Sequence, residues 1–336
     1  MANDFIEKLA VQAKKDPKTI IFPENNEVKI YQAARRILDE GIAYPIIVGK
    51  PEEVEAFAKE NNVSTEGFKI VDNTDQELVQ AVIAEFLALT DEYSEKALNR
   101  KFKTPLNFAA GMVRVGRADA LAAGILHTTG EVILAAQQFI GMQEGVETIS
   151  SLGIVISPTL KTSEGNLLGI TDCAVCTNPN SAELADIAIA SSNTMNSLLG
   201  WEPRVAMLSF STKGSTEHEL VDKVREAVRI ANEKRPDLKI DGEFQVDAAL
   251  LPEIAAKKVK EPSDVAGKAN IIVFPNLEAG NIGVKLIQMF SGATAPGPLL
   301  QGFAKPVTDF SRSAPVDEIV ENLIMLAVRA QGAKKY

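Results

Sequence analysis

A hydroxyl and a guanidinium stand side by side just ahead of the last predicted helix. Ser311 and Arg312 follow Lys305 and Asp309 in the segment GFAKPVTDFSRSAPVDEIV. Because the unsatisfied amides of a helix N-terminus favour negative charge, a cation and a hydroxyl placed there can bind a phosphate or an oxyanion. The alternative interpretation is that Ser313 caps the helix and Arg312 is an ordinary solvated side chain.

Two further segments carry polar side chains directly after strand-like runs. His127, one of only two histidines, precedes Thr128 and Thr129, whose hydroxyls could bind phosphate or cap the next helix. The segment FPNLEAGNIGVK places Asn281 and Gly283 at the exit of an apolar strand, where open α/β sheets bind ligands. The glycines of FPNLEAGNIGVK match neither the dinucleotide fingerprint nor the P-loop, so a structural loop is the alternative there.

The only two cysteines, Cys173 and Cys176, form a C-x-x-C. Zinc would need two more ligands, and neither histidine stands at finger-like spacing. A redox C-x-x-C normally opens a helix, whereas this one ends a strand-like run. We therefore interpret the pair as reduced structural cysteines.

A Ser-His-Asp hydrolase is disfavoured because the sequence contains no G-x-S-x-G elbow.

Alternating strands and helices must position these residues. Near-continuous apolar runs predict parallel strands covered on both faces, at residues 19–24, 44–50, 68–73, 118–126, 204–210 and 269–276. Apolar residues at helical spacing predict helices between them, at 27–41 and 178–200 among others. No helix separates 147–160 from 166–175, which predicts an antiparallel pair, and Asp241–Gly242 predicts an exposed turn. The pattern indicates an α/β fold.

Composition and charge exclude several classes of protein. Acidic residues outnumber basic ones by 45 to 35, for a net charge of −10, and no basic stripe suggests a nucleic acid partner. The longest uncharged stretch, 286–304, contains three glycines and two prolines, so it does not predict a membrane helix. The acidic N-terminus lacks the basic region of a signal peptide. We expect a cytoplasmic protein that binds neither nucleic acid nor membrane.

Five blocks together resemble the phosphate acetyl/butyryl transferase family, in family order and spacing. They are residues 171–194, 202–215, 241–258, 270–285 and 301–312. The resemblance implies two α/β domains with a cleft between them, as in the isocitrate and isopropylmalate dehydrogenases. Domain I would comprise 1–146 plus 297–336, and domain II, 147–296, would form a homodimer.

The resemblance also implies a reaction and its partners. Members of this family catalyse reversible acetyl transfer between CoA and phosphate, by direct attack of the CoA thiolate on acetyl phosphate in a ternary complex. The expected partners are CoA, acetyl-CoA, acetyl phosphate and inorganic phosphate. No metal and no permanently bound cofactor is expected.

Residue by residue, the resemblance assigns Ser311 to the reacting thiol and carbonyl, Arg312 to phosphate, and Glu318 to the general base. Asp317, next to Glu318, is the competing carboxylate. The remaining expected substrate-binding residues are Thr128, Thr129, Asn281, Gly283, Lys305 and Asp309.

The sequence departs from the family pattern at several places, including Glu318, where many members carry Asp, and SRSA (311–314), where they carry S-R-G-C. Leu134 stands where an active-site arginine is expected, the segment 86–96 lacks a second arginine, and Val284 replaces a tyrosine. The cations that could compensate are Arg100, Lys101, Lys103, Arg114 and Arg117. These departures keep two alternatives open: a butyryl-transferring enzyme, and a non-catalytic member that senses a ligand or binds a partner. A metal-dependent dehydrogenase is disfavoured because no aspartate cluster for Mg²⁺ is recognisable.

Overall fold

The computed structural model describes residues 2–332, which form two compact α/β units. The terminal unit consists of Asn3–Met142 and the chain from Phe303 onward, and the middle unit consists of Gln143–Gly302. The predicted α/β class is confirmed in both units. Within residues 2–332, no helix combines the length and the apolar character needed to cross a membrane.

The first part of the terminal unit alternates strands and helices. Its elements are α1 (Ala2–Ala13), β1 (Lys18–Phe22), α2 (Val28–Asp39), β2 (Ala43–Val48), α3 (Pro51–Glu60), β3 (Lys69–Val71), α4 (Gln76–Leu87), α5 (Glu95–Lys101), α6 (Pro105–Arg114), β4 (Ala120–Ala123) and α7 (Thr129–Phe139).

The middle unit follows, and the chain then returns to the terminal unit. The middle unit contains β5 (Ser150–Ile156), β6 (Leu167–Thr171), α8 (Ser181–Leu199), β7 (Arg204–Leu208), α9 (Glu219–Lys234), β8 (Lys239–Phe244), α10 (Val246–Leu250), α11 (Pro252–Lys258), β9 (Ile271–Val273), α12 (Leu277–Ser291) and β10 (Leu299–Gln301). Two elements complete the terminal unit: β11 (Val307–Asp309) and α13 (Val316–Gly332).

The strands of the terminal unit run parallel in the order β3-β2-β1-β4-β11. Ile20, Ile21 and Phe22 are all fully buried, so β1 is covered on both faces, as its continuous apolar run predicts. Helix α13 packs against β1, β4, β11 and α2, and α6 packs against β1 and β4. Because the strands are parallel, the carboxyl ends of β1, β4 and β11 lie side by side at one edge.

The middle unit has the strand order β10-β5-β6-β9-β7-β8. Strand β5 is antiparallel to β10 and β6, which confirms the predicted antiparallel pair, and β6, β9, β7 and β8 are parallel. Helix α8 begins at its cap Asn180 and ends at Gly200 in the left-handed conformation, as its capping-box and glycine signals predict.

The predicted exposed turn at Asp241–Gly242 is wrong. Both residues lie inside strand β8, and Gly242 is buried. A Cβ on Gly242 would come within 2.8 Å of the Cβ and carbonyl oxygen of Met207 on the neighbouring strand. The glycine therefore allows close approach of β8 to β7, which a sequence pattern cannot distinguish from a turn signal.

Strand β11 lies in the segment just ahead of the last helix, where no strand is predicted from the sequence. It has only three residues, Val307–Asp309, directly after Pro306, so no alternation of apolar and polar residues can develop. Its pairing with β4 places Asp309 opposite Ala123. This pairing brings the segment before α13 to the same sheet edge as the segment after β4.

Candidate active site

A wholly buried carboxylate organises the edge where β1 and β4 end. Glu24, just after β1, has a side chain that is 0% exposed. Its two oxygens accept hydrogen bonds of 2.9–3.1 Å from the backbone amides of four successive residues, Gly124 to His127. Burial alone would raise the pKa of Glu24, but the hydrogen bonds from His127 and these amides outweigh it and lower the pKa.

His127 adds a fifth donor to the same carboxylate. Its Nδ1 lies 2.9 Å from Oε1 of Glu24, and its side chain is 25% exposed. The bond to Glu24 raises the pKa of His127, against the opposing effect of burial, and the negative charge of Glu131 adds to the increase. The imidazole is therefore held in one orientation and biased toward its protonated form.

Helix α7 starts directly after His127, at the same edge. Thr128 caps it through a capping box with Glu131, so the helix-cap alternative describes this hydroxyl in the structure. Thr129 instead donates from Oγ1 to Oδ2 of Asp309 over 2.5 Å, which ties α7 to the end of β11. Within the described chain, the amides of Thr129 and Gly130 have no acceptor, as is usual at a helix N-terminus.

Asp309 is a carboxylate in an unfavourable environment. Its Oδ1 is buried without a hydrogen-bond partner. Burial raises the pKa of Asp309 to about 6, and the charge of Glu24 adds to the increase although the bond from Thr129 opposes it. A Cβ on Gly124 would lie 2.3 Å from this Oδ1, so only glycine fits there, and its φ of +119° is also one that glycine tolerates.

The predicted Ser311–Arg312 pair follows Asp309 and is exposed. Lys29 of α2 holds this segment by donating from Nζ to the carbonyl oxygens of Arg312 and Ala314, at 3.0 and 3.2 Å. The Ser311 hydroxyl lies 3.1 Å from that of Ser313. The Arg312 guanidinium has no partner within residues 2–332, yet its charge helps to lower the pKa of Glu131, after the larger effect of the bonds from Thr128.

The two carboxylates at the start of α13 have different surroundings. Asp317 is 82% exposed at its side chain and forms an ion pair with Arg36 of α2, with Oδ1 2.5 Å from Nη1. Glu318 is half-buried and has no hydrogen-bond partner in the described part of the chain. Burial, and then the charges of Glu318 and Asp317, raise the pKa of Glu321. The Asp317 carboxylate is therefore held in an ion pair, whereas the Glu318 carboxylate is not.

The sequence placed Asn281 and Gly283 at the exit of a strand, with a structural loop as the alternative, but neither residue lies in a loop. Both are inside helix α12, which Asn276 caps by accepting from the amide of Ala279. Asn281 donates from Nδ2 to the carbonyl oxygen of Cys173 at 3.1 Å, and a Cβ on Gly283 would contact the ring of Phe274. Because Asn276 caps α12, the helix begins at Leu277, and the glycines that follow lie inside the helix. Val284 beside them packs on the hydrophobic core, whereas Asn281 is exposed, and the substrate-binding roles of Asn281 and Gly283 stay predictions.

The two cysteines are free thiols in the middle unit, Cys173 buried and Cys176 half-buried. Burial, and then the charge of Asp172, raise the pKa of Cys173 to about 12 and that of Cys176 to about 11. Both thiols therefore stay protonated at neutral pH and are weak nucleophiles and metal ligands. Within residues 2–332 no group of three or more His, Cys, Asp or Glu side chains is placed to hold a metal.

Three of the five cations considered as replacements for the missing arginines are already occupied. Arg114 donates to the carbonyl oxygen of Ile140, Arg117 pairs with Glu85, and Lys101 donates to Gln138. Arg100 and Lys103 are exposed and, with Lys96, line a hollow of about 580 Å³ beyond the end of β3. Leu134, at the position of an expected arginine, is 54% exposed on α7.

Glu24, which organises the site, is not among the residues predicted from the sequence. The available signal was its position, since an acid follows directly on the apolar run TIIFP of β1. What sequence could not supply is the pairing of β1 with β4, which brings four amides from about 100 residues away onto one carboxylate. This edge holds the cation Arg312, the imidazole of His127 with its raised pKa, and free amides of α7. Groups of this kind can bind an anion.

Asp309→Asn should stabilise the folded chain at neutral pH. The folded chain binds the Asp309 proton more tightly than the unfolded chain, so this carboxyl lowers stability as pH rises from about 4 to about 6, after which its effect is constant. We expect a gain of about 1–2 kcal/mol in the free energy of unfolding above pH 7, reduced by solvent screening, measured by urea denaturation. Asp317→Asn is the matched control and should give no gain; an equal gain in both variants would contradict the prediction.

The chain is similar to known proteins over nearly its whole length. A family model described as Phosphate acetyl/butaryl transferase matches residues 4–328. A phosphate acetyltransferase of Clostridium acetobutylicum is 42% identical over 334 residues, covering 98% of this chain and 99% of that protein. A phosphotransacetylase structure from Streptococcus pyogenes has a TM-score of 0.89 at 33% identity, covering 98% of this chain and 99% of that one.

A more distant structure bears on the fold alone. The 4-hydroxythreonine-4-phosphate dehydrogenase of Klebsiella pneumoniae has a TM-score of 0.55 at 12% identity, covering 94% of this chain and 99% of that one. The predicted likeness to a dehydrogenase fold is thus confirmed at the level of architecture. With the family match over nearly its whole length, the chain belongs to the phosphate acetyl/butyryl transferase family.

Proposed function

We infer that this chain catalyses the reversible transfer of an acetyl group between CoA and phosphate. Its relatives, at 35–42% identity over nearly its full length, are named phosphate acetyltransferases. The observation that carries the proposal is the unpaired guanidinium of Arg312 beside the N-terminus of α7. An unpaired guanidinium and free helix amides together suit a phosphoryl group.

The proposed chemistry is direct acyl transfer in a complex that holds both substrates. The CoA thiol has an intrinsic pKa of about 8.5, so it must lose a proton to become the nucleophile. The thiolate attacks the carbonyl carbon of acetyl phosphate, and the bond from that carbon to the bridging oxygen then breaks. The electron pair leaves on phosphate. Ser311 is proposed to bind near the thiol and carbonyl, and Arg312 to bind the phosphoryl oxygens.

Glu318 is the proposed acceptor of the thiol proton. It is half-buried and unpaired in the described chain, whereas Asp317 is exposed and bound to Arg36. A base must be free to accept a proton, and an ion pair with arginine holds a carboxylate in its charged, occupied form. These surroundings favour Glu318 over Asp317.

The acetyl group is favoured over butyryl as the transferred acyl group. All the relatives above are named for acetyl transfer. Val284, whose smaller side chain suggested a wider site, packs instead against the core of the middle unit.

We propose further that the reaction needs no permanently bound cofactor and takes place in the cytoplasm. Two free thiols are typical of a reducing compartment.

The purified chain should form acetyl-CoA from CoA and acetyl phosphate, and the reverse reaction should require inorganic phosphate. Thioester absorbance in the ultraviolet measures both directions. Butyryl phosphate should be the poorer substrate, and EDTA should leave the rate unchanged.

Arg312→Ala should raise KM for acetyl phosphate and lower turnover without altering the melting temperature.

Arg312→Lys is the informative companion to Arg312→Ala, since it keeps the charge but loses the planar fork that binds two oxygens. It should recover only part of the loss. A chain with no thioester-forming activity, or an Arg312→Ala variant with unchanged kinetics, would contradict these proposals.

Glu318→Gln should lose most of kcat, by about 10²–10⁴-fold, because it removes a base without changing side-chain size. Asp317→Asn is the matched control and should retain nearly all activity. Glu318→Asp should stay active. Loss of activity in Asp317→Asn alone would show that the neighbouring carboxylate is the base.

We propose that the chain forms a homodimer through the middle unit. Helix α12 exposes four large apolar side chains at helical spacing, Ile282, Leu286, Met289 and Phe290, with Met289 79% and Phe290 83% exposed. Side chains this large and apolar are rarely left in water on adjacent turns of one helix. An identical face on a second copy would cover them symmetrically.

Light scattering should therefore give twice the chain mass, and the double variant Met289→Asp/Phe290→Asp should give the mass of one chain. Leu220→Asp on α9 is the control, because Leu220 is also exposed but stands outside this face. A monomeric native protein, or a double variant that remains dimeric, would exclude this interface.

A further inference from the structure

His127 keeps one ring nitrogen without a partner, next to the proposed phosphate site. Nδ1 is bound to Glu24, whereas Nε2 takes part in no hydrogen bond within residues 2–332. The ring is a quarter exposed, so an external molecule can reach it. His127 also stands immediately before Thr128, the cap of α7, whose first amides are free.

Glu24 determines which ring nitrogen carries the exchangeable proton. An ionised carboxylate only accepts hydrogen bonds, so Nδ1 must be the donor in the bond between them. The proton that comes and goes is then the one on Nε2. Because Glu24 is also bound by the amides of Gly124 to His127, the ring cannot turn without breaking a buried network.

Charged groups from four elements interact with this imidazole directly or through its two carboxylate neighbours. Glu24 follows β1, Glu131 lies in the first turn of α7, Asp309 ends β11, and Arg312 precedes α13. Glu24 and Glu131 favour the imidazolium and raise the pKa of His127. Asp309 interacts with Glu24, and Arg312 with Glu131, so both belong to the same electrostatic cluster.

We propose that His127 is a catalytic acid, whose Nε2–H binds the phosphate oxygen that departs from the acetyl group and protonates it. The inference rests on the acetyl transfer proposed above. In the thioester-forming direction the thiol proton passes to Glu318, sulfur forms its bond to the carbonyl carbon, and the carbon–oxygen bond breaks. The departing oxygen keeps the electron pair and takes the proton from Nε2. Glu24 is the positioning residue, acting through His127.

The division of labour follows from the chemistry of the groups. Arg312 cannot release a proton at neutral pH, so it can bind phosphate but cannot protonate it. Glu318 accepts the proton of the thiol, so it acts on the nucleophile and not on the departing oxygen. His127 is the group at this edge that can both carry positive charge and give up a proton near neutral pH. In the reverse direction the neutral ring takes the proton back from phosphate.

Two substitutions separate the proposed role of Nε2 from the bond to Glu24. In His127→Asn the amide nitrogen occupies the place of Nδ1, which keeps the bond to Glu24 but leaves no atom at Nε2. We expect a fall in kcat of about 10²-fold or more with an unchanged melting temperature. In His127→Gln the amide nitrogen occupies the place of Nε2, which can bind phosphate but cannot transfer a proton. It should have a nearly normal KM for acetyl phosphate and a low kcat.

His218→Gln is the matched control, since His218 is exposed, belongs to the middle unit and caps α9 by accepting from the amide of Leu220, and it should keep full activity. A merely structural His127 would give the opposite result, with His127→Asn active because its bond to Glu24 survives.

The titration of His127 gives a readout independent of turnover. With only two histidines in the chain, the ring nitrogens can be followed by ¹⁵N NMR and assigned with the His127 and His218 variants. The neutral ring should carry its proton on Nδ1. Adding inorganic phosphate should raise the pKa of His127, because the anion stabilises the imidazolium, and should leave His218 unchanged.

The pH profile tests the part played by Glu24. The thioester-forming kcat/KM should fall as pH rises through the pKa of His127. Glu24→Gln removes the charge that stabilises the imidazolium, so this fall should move to lower pH, and it should vanish in His127→Asn. If Glu24→Gln does not fold, the NMR titration and the Asn/Gln pair still decide the question.

Each failure has a distinct signature. An active His127→Asn, or a His127 whose titration ignores saturating phosphate, would overturn the role of His127 while leaving acetyl transfer intact. A native chain that forms no acetyl-CoA would overturn the proposed function, whatever the titration shows.

Discussion

The bond network of the Glu24 carboxylate is the interaction on which the candidate site depends. Two oxygens with no exposure to water accept four backbone amides and one imidazole N–H, all from the segment that follows β4. Leaving that charge unpaired in the interior would cost several kcal/mol, and leaving the amides unpaired would add to the cost. The segment therefore has one conformation, and His127 and the start of α7 take their positions from it.

Two buried carboxylates in the middle unit also accept several hydrogen bonds from a nearby loop. Asp172, after β6, accepts from the amides of Ala174, Val175 and Cys176, and Glu243 in β8 accepts from Ser211, Gly214 and Arg225. In each case a buried carboxylate orders a loop at the end of a strand. The difference lies in what remains free. Glu243 is matched by Arg225, whereas Glu24 holds a histidine with an unused nitrogen.

The site also contains an opposing, destabilising element. Asp309 keeps an unpartnered oxygen in the interior, close to Gly124 and within the field of Glu24. Such a group lowers stability and persists where the surrounding structure holds it in place. Its bond from Thr129 joins α7 to β11, so the helix start and the Ser311–Arg312 segment share one anchor. Lys29 fixes the far side of that segment through two carbonyl oxygens.

The sequence by itself determined the α/β class, the antiparallel β5–β6 pair, the caps of α8 and the family. These follow from local periodicity, from capping chemistry and from long motif blocks. It also named Ser311, Arg312 and Glu318, whose catalytic roles stay predictions. Tertiary structure decided the rest. Glu24 gains its partners through strand pairing across about 100 residues, and Asn281 and Gly283 lie inside a helix and not in a loop. Asp241–Gly242 lies in strand β8, where the glycine allows the close approach of β7. Contacts distant in sequence leave no periodic signal, so no local pattern could have revealed them.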